Sequence, residues 1–400
     1  MVERANVWKL KWLLAAGLLF SLGLIFGCSL ISSGRTGNPL GERNPEQVPN
    51  TVTYPAPSQT TVSQVALTPA GNIPKPTIER STATSLPEPT PTAVPVLLPL
   101  TQGGCCVQPF WAPDSQSVFF LDKPIASLPA GLWGVGLDGG VPELISEKLG
   151  IFSSTFNYRA FLENGVTLVE RFADGQQWQI ANGGRLVYFS VDDEYLAWSM
   201  PSSSSGLREV WVSQVDGSQE QRLYASAGAS FVAWLADGRI LIQEQAQDGS
   251  GDQVLSVLSL SEDLGEVGQS QPLAQGFRLR NPLASPDTRW IAYYATFDED
   301  PEANGLWLVD THSGQKQRIS LFGAYRWRDA QRLLVIPLDL QEPFHQLWQV
   351  DAETRVALPL TDPSLTPFKV GGGDWQVSPD GQWMIFVSAG DNNIWLMKLP

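Results

Sequence analysis

"VSPDGQWMIFVSAGDNNIWLMKLP", residues 377–400, holds one tight turn, two apolar runs and a Trp in each run. Its pattern returns upstream as "ASPDTRWIAYY" at 284 and "WAPDSQSVFF" at 111. Aligning on the turn adds "FLENGVTLVE" at 161, "FSVDDEYLAW" at 189, "WLADGRILIQ" at 234 and "WRDAQRLLVI" at 327. The steps between copies are 50, 28, 45, 50, 43 and 50 residues. Self-similarity at such a period means a solenoid, a propeller or an array, and the strand-like runs select the propeller.

Each unit has one grammar. Strand A ends in an aromatic or small residue. An Asp, often followed by Gly, makes the A–B turn, because a carboxylate accepts local N–H bonds and Gly takes positive φ. Strand B is strongly apolar, as in "SVFF" and "WMIFVS". After a variable loop, strand C carries a central aromatic, as in "LWGVGLDGG", "QWQIANGG", "VWVSQVDGS", "LWLVDTHSG" and "LWQVDAETR"; only "VLSVLSLS" lacks one. Strand D is short. Four strands per unit, repeated radially, predict an all-β, seven-bladed propeller of four-stranded antiparallel blades.

"SPDG" between strands, followed by an aromatic strand C and "D-x-x-G", resembles the TolB-type (PD40, WD40-like) propeller repeat. The resemblance covers residues 94–400 and implies fold rather than activity. Residues 29–93 read as a tether, not as the α/β domain of TolB, so the Tol–Pal partnership is not carried over. Similar blades precede prolyl-oligopeptidase hydrolase domains, but no G-x-S-x-G elbow occurs here.

The first residues predict export. Arg4, Lys9 and Lys11 form a basic region, and Trp12 to Gly27 is an uncharged apolar run. With Ile25 and Gly27 ahead of Cys28, residues 1–28 resemble a bacterial lipoprotein signal, which implies lipidation of Cys28. The alternative is an uncleaved single transmembrane anchor, since no charge falls between Trp12 and Gly34. Either way the remainder is expected outside the cytoplasm, held at the membrane. Residues 29–93, rich in Pro, Ser and Thr ("LPEPTPTAVP"), are expected to be a disordered linker.

The chain carries 41 acidic against 26 basic residues, a formal net charge of −15. That disfavours a nucleic-acid partner, whose phosphates need basic surface. His312 and His345 lack metal-ligand spacing. Asp298, Glu299, Asp300 and Glu302 in "FDEDPEANG" could surround Ca²⁺, but their order matches no known loop and a solvated B–C loop is expected. The 15 Trp could form a sugar platform, but their regular strand positions predict blade packing. No catalytic residue, metal or cofactor is expected.

In the vicinity of "GGCCVQ", Cys105 and Cys106 would be the remaining thiols outside the reducing cytoplasm. They read either as reduced, inert thiols, as a vicinal disulfide, or as an intermolecular bridge. Function is expected on the face of the long D–A and B–C loops. The expected role is a monomeric, non-catalytic scaffold binding an envelope protein or glycan; the alternative is a propeller hydrolase or lyase acting on polysaccharide. Finally, too few residues follow Ser378 for a fourth strand. "VPVLLPLTQ" at 94–102 is expected to supply it, with Val96 to Leu100 pairing beside Ile394 to Leu399.

Overall fold

The computed structural model describes residues 94–400 except 105–106, 123–126, 261–266 and 340. The first short strand is β1 (Leu97–Pro99). Blade 1 is β2 (Val107–Trp111), β3 (Ser117–Asp122), β4 (Gly131–Gly136) and β5 (Glu143–Ser146). Blade 2 is β6 (Ile151–Phe152), β7 (Tyr158–Glu163), β8 (Val166–Arg171) and β9 (Gln177–Ile180). Blade 3 is β10 (Tyr188–Phe189), β11 (Tyr195–Pro201), β12 (Arg208–Gln214) and β13 (Gln221–Ser226). Blade 4 is β14 (Ser230–Trp234), β15 (Ile240–Gln245), β16 (Gln253–Leu260) and β17 (Val267–Gly276). Blade 5 is β18 (Leu279–Ala284), β19 (Trp290–Ala295), β20 (Gly305–Asp310) and β21 (Lys316–Ile319). Blade 6 is β22 (Gly323–Trp327), β23 (Arg332–Pro337), β24 (Trp348–Asp351) and β25 (Ala357–Pro359). Blade 7 is β26 (Val370–Val377), β27 (Trp383–Ser388) and β28 (Ile394–Lys398), with β1 as its outer strand.

Seven four-stranded antiparallel sheets result, in the order A-B-C-D. Strands A of blades 6 and 7, and of blades 7 and 1, lie against one another, so strand A is innermost. The chain is a seven-bladed β-propeller, as the repeat predicts. Its closure also follows the sequence. Leu97 pairs with Met397, Leu98 with Leu396 and Pro99 with Trp395. Beyond the ladder, Leu100 N donates to Ile394 O at 2.8 Å, and Ile394 N donates to Thr101 Oγ1 at 2.9 Å. The last strand thereby gains a covered edge.

The A–B turns explain the motif. Ser378 Oγ donates to Asp380 Oδ1 and accepts from Trp383 N at 2.9 Å, while Asp380 Oδ1 accepts from Gln382 N at 3.0 Å. Gly381 sits at φ 69. Ser285–Trp290 and Ser190–Tyr195 repeat this wiring, with Thr288 at φ 64 and Asp193 at φ 63 in the left-handed position.

The second copy corrects the sequence alignment. "ENG" at 163–165 is the hairpin between β7 and β8, with Asn164 at φ 51 and Gly165 at φ 82, and not an A–B turn. The true A–B turn is "SSTFN", residues 153–157. There Tyr158 N donates to Ser153 Oγ at 3.2 Å, Asn157 N to Thr155 Oγ1 at 3.3 Å, and Phe156 takes φ 63. Thr155 does the work of the missing Asp, which hid the turn. "QWQI" is consequently the outer strand β9, and strand C of blade 2 is the Trp-free "VTLVER".

Alternation along each strand sends side chains into the seams between blades. Six seams carry clusters of buried apolar residues, for example Leu235, Leu241, Leu255, Ile291 and Val309 between blades 4 and 5. Among the described residues, the seam between blades 1 and 2 differs. Phe110, Phe119, Phe152 and Phe156 form a stack, with Phe119 and Phe156 centroids 4.6 Å apart and Phe152 and Phe156 5.2 Å apart. Beside it Arg159, buried, lies 5.1 Å from the Phe161 ring and 5.4 Å from the Phe172 ring. Its guanidinium donates to Ser146 Oγ (2.6 Å), Lys148 O (3.1 Å) and Glu170 Oε1 (2.7 Å).

Candidate binding face

The D–A and B–C connections share one face, and they differ in length around the ring. Blade 2 has the tight Asn164–Gly165 hairpin, whereas blades 5, 6 and 7 are served by segments 296–304, 338–347 and 360–369. The exposed Phe and Leu side chains in the loops of this arc are Phe277, Phe297, Phe322, Leu338, Phe344 and Leu365, while Val356 and Leu358 are exposed at the outer strand of blade 6 and the turn before it. All six lie in D–A or B–C connections. Four of the five exposed phenylalanines among the described residues are in this set; the other, Phe172, follows strand C of blade 2. Leaving such rings in water is unfavourable.

The loop 296–304 is rigidly wired. Thr296 N donates to Arg278 O at 3.0 Å. Asp298 N donates to Asn304 Oδ1 (2.9 Å), and Asn304 Nδ2 returns bonds to Asp298 O (2.9 Å) and Asp300 O (3.1 Å). Asp298 Oδ1 accepts from Asp300 N at 3.0 Å, and Asp300 Oδ1 accepts from Glu302 N at 2.9 Å. Glu302 Oε2 pairs with Arg318 at 2.7 Å, and Trp307 Nε1 donates to Ala303 O at 2.9 Å. The acidic residues therefore shape their own loop. Among the described residues, no group of three or more His, Cys, Asp or Glu side chains is placed to hold a metal ion.

This loop walls a cleft of about 620 Å³, lined by Thr296, Phe297, Pro301, Asn304, Arg318 and Phe322. Phe297 is 72% exposed and adopts φ 60, a conformation costly for a bulky residue and associated with functional strain. The Arg280 guanidinium lies 5.8 Å from its ring. Phe322 packs on Tyr294 at 5.1 Å, and the Tyr294 hydroxyl donates to Gly323 O. Burial pushes the Tyr294 pKa up to about 12, so the hydroxyl stays a donor. At the cleft's base Gly305 has φ 150, and a Cβ there would lie 2.8 Å from Arg318 Nε. A side chain there would be strained by the backbone and would displace the arginine that anchors the loop.

The other sequence candidates resolve into structural roles. His312 sits in the C–D turn of blade 5, its backbone N–H on Asp310 Oδ1 at 2.8 Å. His345 Nδ1 accepts from Val370 N at 3.2 Å while its own N–H donates to Phe368 O at 2.8 Å. Burial, with some help from Lys369, pushes its pKa down, so it is a neutral acceptor at pH 7. Trp111, Trp133, Trp198, Trp290, Trp327 and Trp375 are buried in the blades, which matches packing rather than a sugar platform. Cys28, Cys105 and Cys106 lie outside the described residues. The apolar set on the face was not singled out from sequence, although its signal is visible: Phe or Leu inside Pro- and Asp-rich loops.

No protein-family model and no curated protein sequence matches this chain. Solved structures do. An oligogalacturonate lyase in complex with manganese is 12% identical, with a TM-score of 0.51 over 76% of this chain and 91% of that one. The oligogalacturonate lyase of Vibrio parahaemolyticus is also 12% identical, with a TM-score of 0.51 over 78% and 92%. TolB from Acinetobacter baumannii is 12% identical, with a TM-score of 0.37 over 60% and 62%. At such identities the likeness is one of fold.

Proposed function

We propose that this chain is a non-catalytic, extracytoplasmic binding scaffold whose D–A and B–C face docks another protein of the cell envelope. The observation that carries the reading is the set of exposed Phe and Leu side chains on the arc of blades 4 to 7. Acidic side chains are interspersed with it: Asp298, Glu299, Asp300 and Glu302 in one loop, Asp339 and Glu342 in the next. A partner segment with apolar and basic side chains complements both features. A glycan gains less there, because the exposed rings are phenylalanines, with no hydroxyl or indole N–H to offer sugar hydroxyls. The lyase structures lend their fold to this reading and not their activity. The extracytoplasmic site rests on the export-like sequence of residues 1–28. Among the described residues, no helix is long and apolar enough to cross a membrane.

Site-specific photo-crosslinking tests this reading. A crosslinker at Phe297 or Phe322 of the full chain should trap one protein, identified by mass spectrometry, while one at Val191, in an A–B turn on the opposite face, should not. Adducts that form equally from all three positions, or capture from a crosslinker at Phe297 that survives Phe277→Ser with Phe322→Ser, would refute it.

A further inference from the structure

The inner wall between blades 6 and 7 holds an arginine whose hydrogen-bonding capacity is mostly unspent. On β22, Tyr325 and Trp327 turn into the seam with blade 5. Arg326 between them turns the other way, and its guanidinium lies 5.4 Å from the Trp375 ring of β26. A guanidinium has five N–H donors. Here Nη1 donates to Tyr325 O at 2.8 Å, and that is the hydrogen bond Arg326 makes through its side chain among the described residues. It forms no ion pair among them. Tyr325, Tyr294 and Asp374 act on its charge, and Asp374 Oδ2 accepts Gln108 N at 3.3 Å. Burial pushes the arginine's pKa down, and the charges around it offset this only in part.

The surroundings are also short of acceptors. Trp375 is 1% exposed, yet its indole N–H has no partner among the described residues. On β26, residues 371–374 leave the ladder, because the register jumps from Val370↔Ser388 to Trp375↔Phe386. Gly372 at φ 62 and Gly373 at φ 80 form that bulge, and a Cβ on either would meet nothing within 4 Å. Strand A of blade 1 bulges too, at Gln108 with φ 50. Bulges beside a site re-aim or free backbone groups. The result is a wall with a cation that makes one hydrogen bond through its side chain, and open space beside two exposed glycines.

We propose that Arg326 and the Gly371–Asp374 bulge form a binding site for the carboxylate of a small ligand at the propeller's inner wall. The guanidinium fork matches a carboxylate in two parallel bonds. Arg326 carries one positive charge, Asp374 acts on it, and the chain's net charge is −15, so a second negative charge on the ligand would be repelled. That favours a monoanion over a phosphate dianion. The proposal does not rest on the docking reading.

The test uses the full chain at pH 7, with sodium acetate, sodium phosphate or sodium chloride at matched ionic strength. Acetate should raise the melting temperature above chloride and give a saturable heat by calorimetry; phosphate should do no more than chloride. Arg326→Lys and Arg326→Gln should weaken acetate about tenfold or more, the loss expected when a hydrogen bond to a charged group goes. Wild type that does not distinguish acetate from chloride overturns the proposal, whether or not the variants fold. An acetate effect that persists in folded Arg326→Gln overturns it as well. An equal phosphate effect overturns the carboxylate assignment.

Discussion

Thr288 Oγ1 donates to Asp237 Oδ2 at 2.9 Å, joining the A–B turn of blade 5 to that of blade 4. The position is general. Thr288 is the left-handed residue of its turn, and the same residue elsewhere also reaches the preceding blade. Ser115 Oγ accepts Asp380 N from blade 7 at 3.2 Å. Asp193 Oδ2 accepts Ser153 Oγ of blade 2 at 3.0 Å. Phe156 stacks on Phe119 of blade 1. A turn that usually takes glycine accepts the strain of a side chain where that side chain stitches two blades.

Thr288→Ala should therefore destabilise the propeller by about 1 kcal/mol, the worth of one hydrogen bond. Burial alone would raise the Asp237 pKa, but bonds from Arg239 and Thr288 outweigh it and hold the group low. Urea unfolding of Thr288→Ala, Asp237→Asn and the double variant should show non-additive losses. Additive losses would mean that the two side chains are uncoupled.

Phe156→Gly keeps the left-handed backbone but removes the centre of the phenylalanine stack. It should cost about 2 kcal/mol, about 3 for the lost packing less about 1 for relieved backbone strain. Hydrogen exchange should quicken first in β6 and β7. Uniform acceleration over all seven blades would contradict the local role.

Arg159→Met removes a buried cation and leaves Glu170 with Lys148, 3.7 Å away, and the Gln177 Nε2 bond at 2.6 Å. A loss of about 3 kcal/mol is expected in chemical denaturation, since stranding a partly buried charge costs more than the pair contributes. Replacing Glu170 by Gln in the same chain should recover part of it.

Acid should weaken the propeller in a defined window. Hydrogen bonds from Arg171, and the backbone N–H of Gln176, bring the Asp174 pKa to about 2, and the Ser250 and Gln275 bonds bring Asp248 to about 2. Their usual value is 3.8. A carboxyl depressed in the folded state contributes stability above its unfolded pKa and loses it as pH falls through the folded one. Urea midpoints should thus be steady above about pH 5 and drop between about pH 4 and pH 2. A midpoint that does not change down to pH 2 would contradict the assignment.

Fold was legible because its determinants are local. Turn residues and apolar runs mark the blades without long-range information, and the likeness of "VPVLLPLTQ" at 94–102 to "RVALPLTDP" at 355–363 marks the closing strand. Blade 2 was misaligned because Thr155 and Ser153 wire a turn that no Asp announces. The stitching role of Ser115, Phe156, Asp193 and Thr288 was hidden for another reason: it depends on which blade lies beside the turn. The loop face was legible as a location, from loop length alone. Its apolar character was not, since exposure of Phe297 or Phe322 is decided by how the loops fold back. Arg326 left no trace in the sequence, because an arginine is under-used only once its neighbours in space are known.

The closing strand has a mechanical consequence. β1 is the first described element after Val94 and belongs to the blade formed by the chain's last strands. A load entering through residues ahead of Val94 reaches β1 before any other strand. Directed along the strand, it acts on the Leu97–Pro99 pairing in shear, so its backbone bonds resist together rather than one by one. Behind them stands Thr101, bonded to Ile394. Tension at the amino end is thus received by the carboxyl end, and the joint that closes the ring is the one that meets the pull.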